Sequence, residues 1–210
     1  MTNRILAVDT TAEFGSIALA GEEILLHAPD GFGGVIFQHI ERLLERTGLR
    51  LDELDGFAAA SGPGSFTGVR IGLTCVKGLA EATGKKAIAI SNLAALARFG
   101  SAQMRVALLD ARRGEVYGAV YRADGSVVLP EMVCSFPALL EQVPKGDVEF
   151  IAQTIGPFEA ALSGKRLTEA SRAIAAMIAN MAAECDLQDP AALDANYVRR
   201  SDAELLFKPW

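Results

Sequence analysis

Apolar and polar positions repeat along the chain in two similar series. The apolar run RILAVD at residues 4–9 returns as RVALLD at residues 105–110, and each copy ends in an aspartate. A polar turn and two further apolar segments follow each copy, and the Asp124-Gly125 pair of the second series is typical of a hairpin turn. Each half is therefore predicted to begin with a meander of three strands. The alternative is a coincidental likeness between two apolar strands.

Helical and strand patterns alternate after the first meander. Apolar residues spaced three and four apart predict a helix at residues 34–47, and Gly48 is placed to end it. The pattern then predicts, in order, a strand at 56–60, a glycine-rich loop, a helix at 66–82 and a strand at 86–90. In the second half it predicts a strand at 147–152 and an alanine-rich helix at 168–184.

This order of elements is that of a ribonuclease-H-like lobe, in which a three-strand meander is followed by helix, strand, helix and strand. Two such lobes in tandem form the acetate-kinase/actin/Hsp70 (ASKHA) architecture, in which nucleotide usually binds between the lobes. We therefore expect an α/β fold with an N-terminal lobe at residues 1–103 and a C-terminal lobe at residues 104–210. The tail of the second lobe is expected to pack back on the first.

Composition narrows the classes of function. Of the 210 residues, 50% are hydrophobic and 22% are charged, as is typical of a folded protein and not of a disordered one. The formal net charge of −6 argues against a chain that grips nucleic acid alone, because that task needs a dense face of Lys and Arg. No apolar segment is long enough for a membrane span and no signal sequence opens the chain, so we expect a cytoplasmic protein.

Cysteine and histidine are too sparse to indicate metal or nucleophile chemistry. The three cysteines are odd in number and widely spaced, which favours neither a disulfide framework nor a clustered metal site. His27 and His39 are too far apart for an H-x-x-x-H pair on one helix face. The chain also has no G-x-S-x-G motif. We expect no metal site and no catalytic residue.

The segment SGPGSFTGVRIG at residues 61–72 is the candidate phosphate loop. Its position between a strand and a helix exposes backbone N–H groups and the positive helix end to an anion. Its spacing, G-x-G-x-x-x-G, is one residue longer than the dinucleotide fingerprint, and it does not match the P-loop. Phosphate binding and a structural or partner-contacting turn both stay open. The candidate residues are Gly62, Pro63, Gly64, Ser65, Phe66, Thr67, Gly68 and Arg70.

The helix after this loop is apolar on two sides. Val69, Leu73 and Val76 fall on one side of it. Ile71 and Cys75 fall nearly opposite, so the helix must be covered twice. The second cover is either the preceding helix alone or a subunit interface. The candidate interface residues are Ile36, Phe37, Ile40, Leu43, Leu44, Val69, Leu73 and Val76.

Asp9-Thr10-Thr11 ends the first predicted strand, where this superfold places a metal-linked aspartate and a hydroxyl near phosphate. These residues are a candidate vestigial nucleotide site, and the alternative is an ordinary turn. Asp110 has the equivalent place in the second lobe, but Arg112 and Arg113 follow it instead of the glycines that let backbone approach phosphate. The two arginines are candidates for binding an anion or a partner carboxylate.

Three motifs occur in one order within the first 121 residues: ILAVDTT at 5–11, the glycine-loop string at 61–72 and DARRGEVY at 110–117. Together they resemble the TsaB family, also called YeaZ. Near the C-terminus, Tyr197-Val198-Arg199 resembles the family's tyrosine-leucine-arginine element. The chain departs from the family pattern at residues 31–35, where GFGGV replaces a polar run, and at Gln38 and Ala195, where the family has proline.

The resemblance implies a noncatalytic bacterial protein needed to make N6-threonylcarbamoyladenosine at position 37 of tRNAs that read codons beginning with A. In the family, TsaD carries the metal and transfers the threonylcarbamoyl group, TsaB pairs with it through helices of the first lobe, and the ATPase TsaE joins the pair. The resemblance also implies a homodimer when the chain is alone and no tightly bound cofactor. ATP or ADP is expected only in the complex with TsaD and TsaE, and tRNA only through that complex.

Two other functions are weighed against this one. A stand-alone nucleotide-binding phosphotransferase or ATPase of the same superfold would use Asp9, Thr10 and the glycine loop. A module that binds tRNA directly conflicts with the acidic composition of the chain.

Overall fold

A computed structural model describes residues 4–199 of the chain as two five-stranded sheets with helices on their faces. The strands of the first sheet are β1 (Ile5–Asp9), β2 (Phe14–Leu19), β3 (Glu22–His27), β4 (Gly56–Ala60) and β5 (Ala87–Ile90). The strands of the second sheet are β6 (Met104–Arg112), β7 (Glu115–Arg122), β8 (Val127–Ser135), β9 (Val148–Ala152) and β10 (Arg166–Glu169).

The two sheets share one topology. The strand order is β3-β2-β1-β4-β5 in the first sheet and β10-β9-β6-β7-β8 in the second, which is the same order read from the opposite edge. In each sheet the first three strands pair antiparallel and the last two are added in parallel. The prediction of an α/β fold with two tandem ribonuclease-H-like lobes is confirmed, and the repeated apolar runs are the equivalent strands β1 and β6.

The helices begin and end where the local sequence chemistry places them. They are α1 (Ile36–Thr47), α2 (Phe66–Thr83), α3 (Asn92–Ala97), α4 (Phe136–Gln142) and α5 (Ala175–Ala183). Gly48 and Gly84 end α1 and α2 in the left-handed conformation, which glycine adopts at little cost. Ser65 and Ser91 cap the starts of α2 and α3 by accepting hydrogen bonds from backbone amides.

The lobes exchange helices across the space between the sheets. Although α5 follows the strands of the second sheet in sequence, it packs across β1, β2 and β4 of the first. In return, α3 follows the first sheet and packs on β6 and β7 of the second. The central apolar core therefore contains residues of both sheets and of both exchanged helices. Because α1 and α2 cover the outer face of the first sheet, that sheet is buried on both faces.

The start of α5 is fixed by two side chains of the first sheet. Ser16 is buried on β2, and its hydroxyl accepts hydrogen bonds from the amides of Ile174 at 3.1 Å and Ala175 at 2.9 Å. The Glu23 carboxylate accepts a third bond, from the Ala176 amide at 2.9 Å. Unsatisfied N–H groups at a helix start need such acceptors when they are buried. The exchange is thus held by hydrogen bonds as well as by apolar packing.

The second half corrects one prediction. Residues 168–184 do not form one helix, because the segment begins within β10, whose Thr168 pairs in parallel with Ile151 of β9. The helix proper is limited to α5. Sheet pairing overrides the helical preference of a segment when it satisfies a row of backbone groups at once.

The described part of the tail lies against the first lobe. Gln188 exchanges two 2.9 Å backbone hydrogen bonds with Ala87, and the Asn196 amide donates to the Ser61 carbonyl at 2.8 Å. Leu187 packs against Gly56, where any larger side chain would collide with it. Among the helices of residues 4–199, none has the length and apolar character needed to cross a membrane.

Candidate functional site

The turn that ends β1 is a buried hydrogen-bonded network. Asp9, Thr10 and Thr11 are only 1%, 1% and 4% exposed. The Asp9 carboxylate accepts hydrogen bonds from the Thr11 amide at 3.0 Å and from the Thr11 hydroxyl at 2.6 Å. Asn92 completes the network, because its side chain donates to the Thr11 hydroxyl at 2.6 Å and accepts from the Gly62 amide at 2.8 Å.

The same burial changes the acidity of Asp9. Desolvation of the carboxyl group raises the pKa of Asp9 above its ordinary value, because burial disfavours the charged form. The hydrogen bonds from the Thr11 hydroxyl and amide act in the opposite direction but do not cancel the effect of burial on this pKa. The folded chain therefore disfavours ionisation of the Asp9 carboxyl group.

The glycine loop packs directly on this turn. A Cβ atom at Gly68 would lie 1.9 Å from the Thr10 carbonyl oxygen, and one at Gly64 would lie 2.5 Å from the Thr11 carbonyl oxygen. The Ser65 amide donates to the same Thr11 oxygen at 2.6 Å. These glycines serve close contact between two backbone segments. The chain's own loop therefore packs on the backbone of Thr10 and Thr11, and a nucleotide site at Asp9, Thr10 and Thr11 stays a prediction.

Phe66 and Arg70, at the end of the glycine loop, contact Tyr197 of the tail. The Arg70 guanidinium lies 3.9 Å from the centre of the Phe66 ring and donates to the Tyr197 hydroxyl at 3.0 Å. The rings of Phe66 and Tyr197 stack with their centres 5.3 Å apart. Within the loop Pro63 is buried, while Thr67 is exposed at the start of α2. Phosphate binding by the loop stays a prediction.

The candidate interface residues divide into buried and exposed side chains, and their contact with a partner stays a prediction. Most of the candidate side chains belong to the apolar core between α1, α2 and the first sheet, so they present almost no surface to a partner. This buried group contains Ile36, Ile40, Leu43, Val69, Leu73 and Val76, none more than 6% exposed. Leu44 is half-buried against the same core, whereas the Phe37 side chain is 58% exposed. That Phe37 contacts a partner stays a prediction.

An apolar groove lies between α1 and α2 beside Phe37. Its cavity volume is about 480 Å³, and its walls come from both helices and from Gly33, which precedes α1. The lining residues are Gly33, Ile36, Phe37, Phe66, Thr67, Arg70, Ile71, Thr74 and Cys75. Ile71 and Cys75 are the side of α2 that the sequence pattern marked as needing a second cover. The preceding helix supplies only part of that cover, so an apolar surface remains open.

A second polar cluster joins the lobes. The Glu131 carboxylate on β8 accepts hydrogen bonds from the Tyr121 hydroxyl at 2.7 Å, from the side-chain amide of Asn196 at 2.5 Å and from the Ser91 hydroxyl. Burial, followed by the charge of Glu131, raises the pKa of Tyr121. Ser91 precedes α3 and Asn196 lies in the tail, so one carboxylate ties the second sheet to both segments.

Sequence reasoning missed Asn92 and Glu131. A signal for Asn92 was present, since it follows the end of β5 as the Thr10-Thr11 pair follows β1, and the carboxyl ends of parallel strands meet at one edge of a sheet. No local signal marks Glu131, because two of its three donors, Ser91 and Asn196, lie 40 and 65 residues away in the chain. Within residues 4–199, no three acidic, histidine or cysteine side chains are grouped to hold a metal ion.

Comparisons with known proteins agree with this architecture. The family model described as TsaD, tRNA N6-adenosine threonylcarbamoyltransferase, matches residues 34–198. A solved structure from Pseudomonas aeruginosa, described as an uncharacterized protein with similarity to peptidase YEAZ, is 26% identical with a TM-score of 0.75. That superposition covers 94% of this chain and all of the other.

Two relatives share the description tRNA threonylcarbamoyladenosine biosynthesis protein TsaB. The Escherichia coli protein is 37% identical over 129 residues, which is 58% of this chain and 56% of the relative. The Bacillus subtilis protein is 31% identical over 153 residues, which is 68% of this chain and 67% of the relative. The match to the E. coli relative thus spans little more than half of its length.

Proposed function

We propose that this chain, which belongs to the TsaB/YeaZ family, is a noncatalytic subunit in the biosynthesis of threonylcarbamoyladenosine in tRNA. It pairs with a TsaD-type transferase in the cytoplasm and forms a homodimer when that enzyme is absent. A TsaE-type ATPase joins the pair, and ATP or ADP is bound only in that complex. The net charge of −6 supports contact with tRNA through the complex and not through this chain alone.

The open groove between α1 and α2 is the observation that carries this proposal. Phe37 and Phe66 border the groove and are 58% and 46% exposed, and aromatic side chains are the usual anchors of protein interfaces. Two exposed aromatic side chains beside one apolar groove are typical of a binding surface. A helix of the partner laid along α1 and α2 would cover it.

The sealed turn at the end of β1 supports a noncatalytic role. A nucleotide-dependent enzyme of this superfold needs the aspartate at that turn to face a metal-bound phosphate. Here the Asp9 carboxylate accepts hydrogen bonds from the amide and the hydroxyl of Thr11. The glycine loop packs on the backbone of Thr10 and Thr11. Mg-ATP titration of the isolated chain tests this point, because the phosphotransferase alternative requires tight binding that is lost in Asp9→Ala.

Phe37→Glu is the sharpest test of the groove. A carboxylate buried in an interface without a partner costs several kcal/mol, on the order of a thousandfold in affinity, so the variant is expected to lose its complex with the cognate TsaD. Leu25→Glu is the matched control, because the Leu25 side chain on β3 is 51% exposed. Its neighbour Leu26 belongs to the core between α1, α2 and the first sheet, so Leu25 lies on the opposite face of the strand. Sedimentation velocity at micromolar concentration measures both complexes.

Two outcomes would contradict the proposal. One is equal binding of TsaD by the wild type and by Phe37→Glu, which would remove the groove from the interface. The other is full tRNA modification, measured by nucleoside mass spectrometry, in a reconstituted system without this chain. Loss of modification in Phe37→Glu together with normal modification in Leu25→Glu is the expected pattern.

A further inference from the structure

The groove between α1 and α2 shares two side chains with the contacts of the tail. Phe66 and Arg70 line the groove. The Phe66 ring also stacks on the Tyr197 ring with the centres 5.3 Å apart, and the Arg70 guanidinium donates to the Tyr197 hydroxyl at 3.0 Å. Tyr197 therefore anchors the tail at the rim of the groove, two residues before the described part of the chain ends.

The residues that follow are numerous enough to reach the whole groove. Positions 200–210 read RSDAELLFKPW and contain the apolar run LLF at 205–207. Leu205 follows Tyr197 by eight residues, which span at most about 26 to 29 Å of extended chain. Along α2 the groove extends from Phe66 to Cys75, a rise of roughly 14 Å. The run can thus be placed against any part of the groove wall.

The groove and the apolar run have matching chemistry. Phe37 and Ile71 give the groove an apolar wall, and its volume of about 480 Å³ is within the range of about 300 to 1,000 Å³ that holds drug-sized molecules. Several apolar side chains therefore fit. Arg70 is the one charged residue among the described residues of the wall, and the acidic Asp202 and Glu204 precede the run. Opposite charges at the rim favour one register of docking.

The covalent connection favours this segment over a second copy of the chain as the occupant. A short tether holds a segment near its site at an effective concentration on the order of millimolar. A second copy at micromolar concentration therefore competes at a disadvantage for the same apolar wall. The segment also begins next to the groove, because Tyr197 already lies on Phe66.

We propose that residues 204–207 of this chain dock in the groove between α1 and α2 and cover its apolar wall. The segment is a built-in competitor, so any partner that uses the groove binds only the fraction of molecules in which the segment has left it. The docking itself does not depend on the proposed function. Only the competition with a TsaD-type partner rests on that function.

Tryptophan fluorescence of the full chain tests the docking without any partner. Trp210 is the single tryptophan, so the double variant Phe207→Trp/Trp210→Phe moves the probe into the apolar run. We expect the probe to emit at shorter wavelength, and to be quenched less by acrylamide, than the same tryptophan in a free peptide of residues 201–210. The protection should be the same from submicromolar to high micromolar concentration, because the docking is intramolecular.

Phe37→Glu, added to the probe variant, places a carboxylate in the groove. It is expected to weaken docking about tenfold or more and to shift quenching towards that of the free peptide. Leu25→Glu is again the matched control and should leave the quenching unchanged, since Leu25 lies on β3 and outside the groove. Circular dichroism checks that both variants are folded. Trp210 in the otherwise unaltered chain gives a second measurement, with the same direction of change expected.

Three results would overturn the proposal. One is a probe that is quenched as freely as in the peptide at every concentration, in both the probe variant and the unaltered chain. Another is protection that survives Phe37→Glu, which would place the segment elsewhere. The third is protection that appears only as concentration rises, which would make a second copy the occupant. Binding of TsaD enters none of these measurements, so their failure is distinguishable from failure of the proposed function.

Discussion

The side-chain amide of Asn92 donates a 2.6 Å hydrogen bond to the hydroxyl of Thr11, a residue 81 positions earlier in the chain. The side-chain oxygen of Asn92 also accepts a hydrogen bond from the Gly62 backbone amide at 2.8 Å. One side chain thus connects the end of β1, the start of the glycine loop and the first turn of α3. The loop owes its position to this junction, and so does the closed state of the Asp9 turn.

Asn92→Ala is expected to lower the free energy of unfolding by about 2 to 4 kcal/mol, because it leaves the buried Gly62 amide and Thr11 hydroxyl with fewer partners. Urea unfolding followed by circular dichroism measures the change. Asn180→Ala, at an exposed position of α5, is the control and should stay within about 0.5 kcal/mol of the wild type. Equal stability of the two variants would mean that the junction does not hold the loop.

Gly68 and Gly78 both lie in α2, and their replacement by alanine is expected to change the stability of the protein in opposite directions. The new methyl group at position 68 would lie 1.9 Å from the Thr10 carbonyl oxygen, so the loop must shift and the protein should lose about 2 to 4 kcal/mol of stability. Position 78 has no atom within 4 Å of an added Cβ, so alanine there should gain about 0.5 to 1 kcal/mol. Thermal unfolding of both variants checks the contrast; a harmless Gly68→Ala would contradict the close packing of loop and turn.

Asp9→Asn is expected to change how stability depends on pH. Since the folded pKa of Asp9 is raised above the ordinary value of 3.8, the folded state holds its proton more tightly than the unfolded state does. The wild type should therefore lose stability as pH rises from 3.8 through the folded pKa, while the asparagine variant keeps the Thr11 hydrogen bonds without the charge.

The measurement is the difference in unfolding free energy between Asp9→Asn and the wild type at a series of pH values. That difference should be small at the acid end and should grow in favour of the variant towards neutral pH. A difference that is constant across the range would show that Asp9 is no harder to ionise in the folded state than in the unfolded one.

Periodic apolar runs made strands β1 to β9 and the first two helices predictable, whereas β10 was missed. β1 and β6 are nearly continuous apolar segments flanked by turns, and Gly48 and Gly84 stop their helices by a local conformational rule. The pattern of α2 predicts a helix that is apolar on two sides, but it does not indicate which side is covered by other parts of the same chain. Six of the eight proposed interface residues proved to be core for that reason.

Contacts between distant segments escaped prediction because nothing local encodes them. The start of α5 depends on Ser16 and Glu23, which lie on strands of the other lobe. Likewise, the closure of the Asp9 turn depends on Asn92, whose role requires β5 to lie beside β4 and β4 beside β1. A single sequence gives the residues that can form such bonds, and only the folded chain shows which of them meet.

The exchange of α5 has a consequence for synthesis. The first sheet is complete at Ile90, but the helix that covers its inner face begins only at Ala175. At roughly 5 to 20 residues per second, the ribosome needs on the order of 10 s to supply the missing helix. During that interval one apolar face of the nascent first lobe has no cover from its own chain, so its final packing must wait until α5 has been synthesised.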